Sequence, residues 1–115
     1  MNILFSFYNS NEPNHAKAIE ELALEWDYDS AHLVKESLNT TPSFQLLFIF
    51  DAKKVMGLIY YQEGIDCIDI LYIYIASAFR RKKLGSKLLK ELYISVRKRI
   101  VLEVRTSNLG AQRLY

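Results

Sequence analysis

The chain has 115 residues, half of them hydrophobic and 24% charged; this is the size and balance of one ordinary globular domain, and it excludes a disordered or collagen-like chain. Its single cysteine, Cys67, excludes an internal disulfide framework and fits a reducing, cytoplasmic setting, and no apolar run approaches the roughly 20 residues of a membrane span. The net charge of +2 hides a split: residues 1–79 carry 4 Lys/Arg against 11 Asp/Glu, whereas residues 80–115 carry 11 against 2, so the last third either faces an anion or presents a merely solvated basic helix face.

Asn2 to Tyr8 is apolar without a basic leader or cleavage site, and reads as a first strand rather than a signal peptide. After a polar connection, Pro13 suits a first helical turn, where its missing N–H costs nothing. Ala16, Ile19, Leu22, Ala23 and Trp26 then recur at helical spacing. Asp27 to Ser30 breaks that helix and caps a second, Ala31 to Leu38, with a loop over Asn39 to Ser43. Three β-rich runs follow, Phe44 to Phe50, Lys54 to Gln62 and Ile65 to Ile75, joined by links short enough to require an antiparallel meander. Gly57, inside the middle run, marks a bulge, a close backbone approach, or a merely tolerated glycine.

The run Ile70 to Ile75 leads into four consecutive cations, Arg80-Arg81-Lys82-Lys83, and then into an amphipathic helix, Leu84 to Lys98, with Leu84, Leu88, Leu89, Leu92 and Val96 on one face. A strand, a basic loop and a helix N-terminus in succession hold an anion, because uncapped N–H groups and the positive end of the helix dipole point the same way. Arg99 to Arg105 is a further strand, which makes a right-handed βαβ unit with parallel strands, and Leu109 to Tyr115 starts a last helix.

The segment Arg80-Arg81-Lys82-Lys83-Leu84-Gly85 resembles motif A of the GNAT superfamily of acyl-CoA transferases, Gln/Arg-x-x-Gly-x-Gly/Ala, with Lys83 in place of the middle glycine. Leu102-Glu103-Val104-Arg105-Thr106-Ser107-Asn108, followed by Ala111 and Leu114-Tyr115, is similar to the LEVR-x-SN-x-x-A-x-x-LY signature of the ribosomal-protein alanine N-acetyltransferase branch. The resemblance implies one mixed α/β domain over 1–115 in the order β-α-α-β-β-β-α-β-α, lacking the family's final strand pair. It implies acetyl-CoA as acetyl donor. The backbone of Ile73, Tyr74 and Ile75 would pair with the cofactor's amide arm, and N–H groups of Arg81, Lys82, Lys83, Leu84, Gly85 and Ser86, helped by Arg80 and its neighbouring cations, would hold its pyrophosphate. Asn108 would contact the pantetheine arm, Glu103 would be the general base and Tyr115 the general acid. Lys83 would have to turn its N–H inward at positive φ, which costs a non-glycine residue energy.

The chemistry asks for such residue types by itself. A protein N-terminal amine, with a pKa of about 7.7–8.0, must lose a proton before it attacks a thioester, and the departing thiolate gains from a phenol donor. Glu103 pairing with Arg105 or Arg113, and Tyr115 merely packing, are the structural alternatives. Cys67 reads as a small core residue rather than a nucleophile, and His15 and His32 stand isolated on helices, which argues against a metal. Tyr60, Tyr61, Tyr72 and Tyr74 line a cleft or, as alternating strand aromatics, the core. The resemblance implies a protein N-terminus as acceptor, ribosomal-protein alanine in particular, with a small amine or lysine as the alternative. A non-catalytic module binding CoA or RNA is the rival from another class; the lack of stacking aromatics among the cations argues against RNA. The chain stopping at Tyr115 leads us to expect an exposed sheet edge, reduced stability and self-association.

Overall fold

The computed structural model describes residues 1–26 and 28–102, with the side chains of Tyr28 and Ser30 excepted. Five strands, β1 (Ile3–Phe7), β2 (Phe44–Asp51), β3 (Lys54–Glu63), β4 (Cys67–Ile75) and β5 (Arg99–Leu102), lie side by side in chain order. The first four pair antiparallel, and β5 runs parallel to β4. Helices α1 (Pro13–Ala23) and α2 (Tyr28–Thr40) cover one face; α3 (Leu84–Val96), the crossover from β4 to β5, covers the other. This is the mixed α/β architecture that the element order implied.

Because both faces are covered, the interior strand β2 has no polar side to show. Leu46, Phe48 and Phe50 point toward α1 and α2, where they meet Ile19, Leu22, Trp26 and Val34. Leu47 and Ile49 point toward α3 and meet Leu84, Leu88 and Leu92. Hence the unbroken apolar run, in place of the alternation of a half-exposed strand. Burying a leucine such as Leu88 or Leu92 completely contributes about 1.5–3 kcal/mol, so the α3 seam anchors the helix whose N-terminus carries the basic loop.

Several expectations need correcting. In α1 the buried stripe is His15, Ala18, Ile19 and Leu22, and Ala16 is exposed. Pro13 opens the helix, with the Glu12 carboxylate accepting from Asn14 N–H at 3.4 Å, and this sets the phase. Nor is His15 isolated. It is 5% exposed, its Nδ1 accepts from Asn9 N–H at 2.9 Å, its Nε2 lies 2.9 Å from Ser6 Oγ, and its ring packs on Phe48. His32 sits 4.0 Å from Glu36 one turn on. Helix α2 begins at Tyr28 and continues through Thr40, longer at both ends than the pattern of apolar residues suggested. Cys67 opens β4 half-buried, opposite Arg99, rather than inside either core cluster. Tyr61 is a core residue at 2% exposure, and Tyr60 bonds Ser37 Oγ at 2.6 Å.

Gly57 is a close approach. A Cβ there would lie 2.6 Å from the Tyr74 carbonyl oxygen and 2.6 Å from Ile75 Cδ1. Its φ is not positive, so the glycine serves space rather than backbone freedom. The narrow spacing holds the end of β4 tightly on β3.

Candidate functional site

The end of β4 has one paired edge and one open edge. Ala76 N–H donates to Met56 O at 2.8 Å across to β3, and backbone groups alternate sides along a strand. Tyr74 therefore turns its backbone toward β3, while Ile73 and Ile75 turn theirs the other way. On that side β5 pairs with Cys67–Ile70 and, among the described residues, no strand pairs with β4 beyond it. Of the three positions expected to pair with an amide arm, Ile73 and Ile75 thus turn their backbone to this edge, where the Ile75 carbonyl accepts from the Arg80 side chain; Tyr74 offers its ring.

Directly after this edge the chain makes a 3-10 turn, Ser77–Phe79, and enters the basic loop. Arg81 (φ 67°) and Lys83 (φ 58°, ψ 29°) are both left-handed. Such conformations fold successive N–H groups into a concave anion nest. Lys83 is the residue before α3, and no side chain caps it, so the first-turn N–H groups of Leu84, Gly85 and Ser86 stay available for an anion. Two left-handed non-glycine residues cost about 1–2 kcal/mol each. Lys83 thus adopts the positive φ that its place in the motif demands. The donor set fits a pyrophosphate.

The fold adds a cation that sequence reading did not place here. Lys54, at the start of β3, lies with its Nζ 5.9 Å from the centroid of the Phe79 ring, which Lys82 Nζ also approaches, at 5.8 Å. The register that sets Gly57 against Ile75 brings the beginning of β3 to the end of β4, so the meander itself carried the signal. Arg80 is turned differently. Its Nε donates to Ile75 O at 3.1 Å and its guanidinium lies 5.7 Å from the Tyr74 ring centroid.

On the α1/α2 face of the same strand end stands a group that the sequence did not single out. Glu25, between α1 and α2, accepts from Ser77 N–H at 2.8 Å. Hydrogen bonds from Ser77's hydroxyl and N–H, and then the nearby Arg80 charge and Tyr74 phenol, hold its carboxyl below the usual carboxylate range. Burial, and then the Glu25 charge, push the Tyr74 phenol up. Trp26 stacks on Tyr74 (5.7 Å, 17°) and packs on Tyr72 (5.0 Å). Glu103, Asn108 and Tyr115 lie outside the described residues.

The other polar pair in the fold does different work. An open cleft of about 450 Å³ runs along β1, lined by Ser6, Phe7, Glu12, Asn14, His15 and Lys53, with β2 and β3 between it and β4. Ser6 and His15 are not a nucleophile and its base. Asn9 N–H occupies Nδ1, so the neutral ring carries its proton on Nε2 and donates to Ser6 Oγ. Among the described residues no three His, Cys, Asp or Glu side chains gather as a metal site, and no helix is long and apolar enough to cross a membrane.

The sequence profile of the Acetyltransferase (GNAT) family matches residues 4–115. Among solved structures, a GNAT family acetyltransferase from Elizabethkingia anophelis with acetyl-CoA bound superposes with a TM-score of 0.74 at 21% identity, over 99% of this chain and 72% of that one. A ribosomal-protein-alanine N-acetyltransferase from Brucella melitensis biovar Abortus 2308 gives 0.71 at 14% identity, over 98% and 87%. The aminoglycoside 6'-N-acetyltransferase from Enterococcus faecium gives 0.67 at 24% identity, over 86% and 59%. No curated protein matches the chain.

Proposed function

This chain belongs to the acetyltransferase (GNAT) family, whose enzymes take acetyl from acetyl-CoA, and from that premise we propose that it acetylates a protein N-terminal α-amine, with ribosomal-protein alanine as the specific acceptor. The observation that carries the cofactor reading is the pair of left-handed residues, Arg81 and Lys83, at an uncapped helix N-terminus beside the open edge of β4.

In this reading the nest from Arg81 to Ser86 binds the pyrophosphate. The cations of Arg80 to Lys83 and Lys54 neutralise its charge, and the peptide groups of Ile73 and Ile75 hold the amide arm as an added strand would. Acetyl-CoA supplies the activated acyl group. The chain's task is to align the thioester with the amine and to move one proton. Glu103 removes that proton directly or through water, Tyr115 donates to the departing thiolate, and Asn108 steadies the pantetheine arm; these three assignments rest on the motif resemblance alone. With no covalent enzyme intermediate, transfer is direct within a ternary complex. Cys67, at the far end of β4 from Ile75, is not a nucleophile in this scheme.

A small amine is the second reading. The similarity in fold to an aminoglycoside acetyltransferase supports it as much as the first. The deciding experiment follows thiol release from acetyl-CoA with an alanine-initiated peptide, an aminoglycoside and a polyamine as acceptors. Turnover of the peptide supports the first reading, turnover of the small amines alone supports the second, and release with none of them overturns both.

A further inference from the structure

We propose that the acceptor carries a second positive charge beside the amine that is acetylated, and that Glu25, beside the Tyr74 phenol at the end of β4, is the seat for that charge. The inference rests on the acetyltransferase reading and sharpens its acceptor.

The two faces of the sheet divide the work at the end of β4. Ile73 belongs to the core under α3, and Ile75 packs against that core; the basic loop opens α3 on the same side. Tyr72 and Tyr74 pack on the opposite face with Trp26. An acyl group laid along the open edge is therefore reached by its acceptor from the aromatic side. The charged carboxylate at that mouth is Glu25, an exposed residue, tethered to Ser77 N–H through Oε1 at 2.8 Å. With the Ser77 hydroxyl and the Tyr74 phenol as its other neighbours, this contact holds the carboxylate ionised and in place, and a carboxylate's two oxygens have about four acceptor positions, so one stays open to a further donor. A carboxylate beside the Tyr74 ring, whose face already carries a cation, favours a cation by charge and by ring quadrupole.

The protein itself shows what this position accepts. Arg80 lies over the Tyr74 ring at 5.7 Å, and its charge is felt by Glu25. Arg80 also has somewhere else to go, because it begins the anion loop. When a pyrophosphate recruits it, the carboxylate and the face of Tyr74 are left for another cation. The wider field agrees, since residues 1–79 carry 4 Lys/Arg against 11 Asp/Glu, so a cationic acceptor is drawn to this half and repelled by the cofactor loop.

The test compares kcat and KM for acceptors matched in length, with and without the second charge, at saturating acetyl-CoA. One arm uses a diamine against a monoamine. The other uses an alanine-initiated peptide with lysine at its second position against the same peptide with a neutral residue there, and the two arms distinguish small-molecule from peptide sources. Wild-type protein should prefer the dicationic member. Glu25→Gln, which keeps an oxygen to accept from Ser77 and should stay folded at neutral pH by circular dichroism, should raise KM for that member about tenfold with kcat within about twofold, leaving its partner unchanged. Added salt should erode the wild-type preference and not that of Glu25→Gln. A preference that survives Glu25→Gln, or that is absent in wild type, overturns this inference alone. No turnover of any amine overturns the acetyltransferase reading and this inference with it.

Discussion

Replacing Gly57 with alanine tests how the edge of β4 is held in place. The added Cβ would start 2.6 Å from the Tyr74 carbonyl oxygen, a backbone atom that no rotamer change can move. Ordinary contact begins near 3.4 Å, so the end of β4 must retreat from β3 by about 0.8 Å, or the oxygen must tilt out of its place in the sheet. Gly57 has no positive φ, so alanine meets no backbone penalty and stabilises by about 0.4–1 kcal/mol through the unfolded chain. Overpacking costs about 1–3 kcal/mol. The net expectation is a loss of about 1–2 kcal/mol, read in urea as a midpoint lower by about 0.5–1 M at unchanged slope. The same displacement moves the carbonyls of Ile73 and Ile75, so acetyl-CoA affinity should fall as well. An unfolding midpoint and an acetyl-CoA affinity both equal to wild type would refute the close-approach argument.

Other substitutions probe separate parts of the account. Lys83→Gly removes a left-handed lysine and should raise stability by about 1 kcal/mol in denaturant unfolding, while weakening the salt dependence of acetyl-CoA binding; a destabilised variant would contradict the strain. Leu88→Ala empties a site of 0% exposure in the α3 seam, and should cost about 2–5 kcal/mol in the same assay; a loss under 1 kcal/mol would show that the seam repacks. Because Glu25 has a lowered folded-state pKa, its contribution is complete above the usual carboxylate value of about 4.3 and fades as pH falls through the lowered one. Glu25→Gln should therefore flatten the acid limb of the stability–pH profile, and an unchanged limb would deny the Ser77 tether its role. Tyr115→Phe should lower turnover far more than cofactor affinity, and an unchanged rate would remove Tyr115 from the acid role.

The legible part of this fold was whatever follows from short-range pattern. Apolar β-rich runs joined by two- or three-residue links could pair only as an antiparallel meander, and one amphipathic helix between two strands fixed the parallel crossover. The basic loop and the helix after it were legible for the same reason: four adjacent cations before a leucine-rich helix are a local signal. What escaped were contacts between distant residues. Glu25 and Ser77 are 52 positions apart, and nothing in the spacing around Glu25 distinguishes it from Glu20 or Glu21 on the preceding helix. His15 looked isolated because its partners, Ser6 and Asn9, reach it only when β1 and its following loop fold over α1. Lys54 needed the strand register before it could be set beside Phe79.

The central claim is that the loop from Arg80 to Ser86 binds the pyrophosphate of acetyl-CoA, and calorimetric titration of the chain with acetyl-CoA at low and high salt tests it most directly. The account predicts one cofactor per chain, an affinity that falls as salt rises, and a marked loss of affinity in Arg81→Ala. No heat of binding at millimolar acetyl-CoA, or an affinity indifferent to both salt and Arg81, would contradict it.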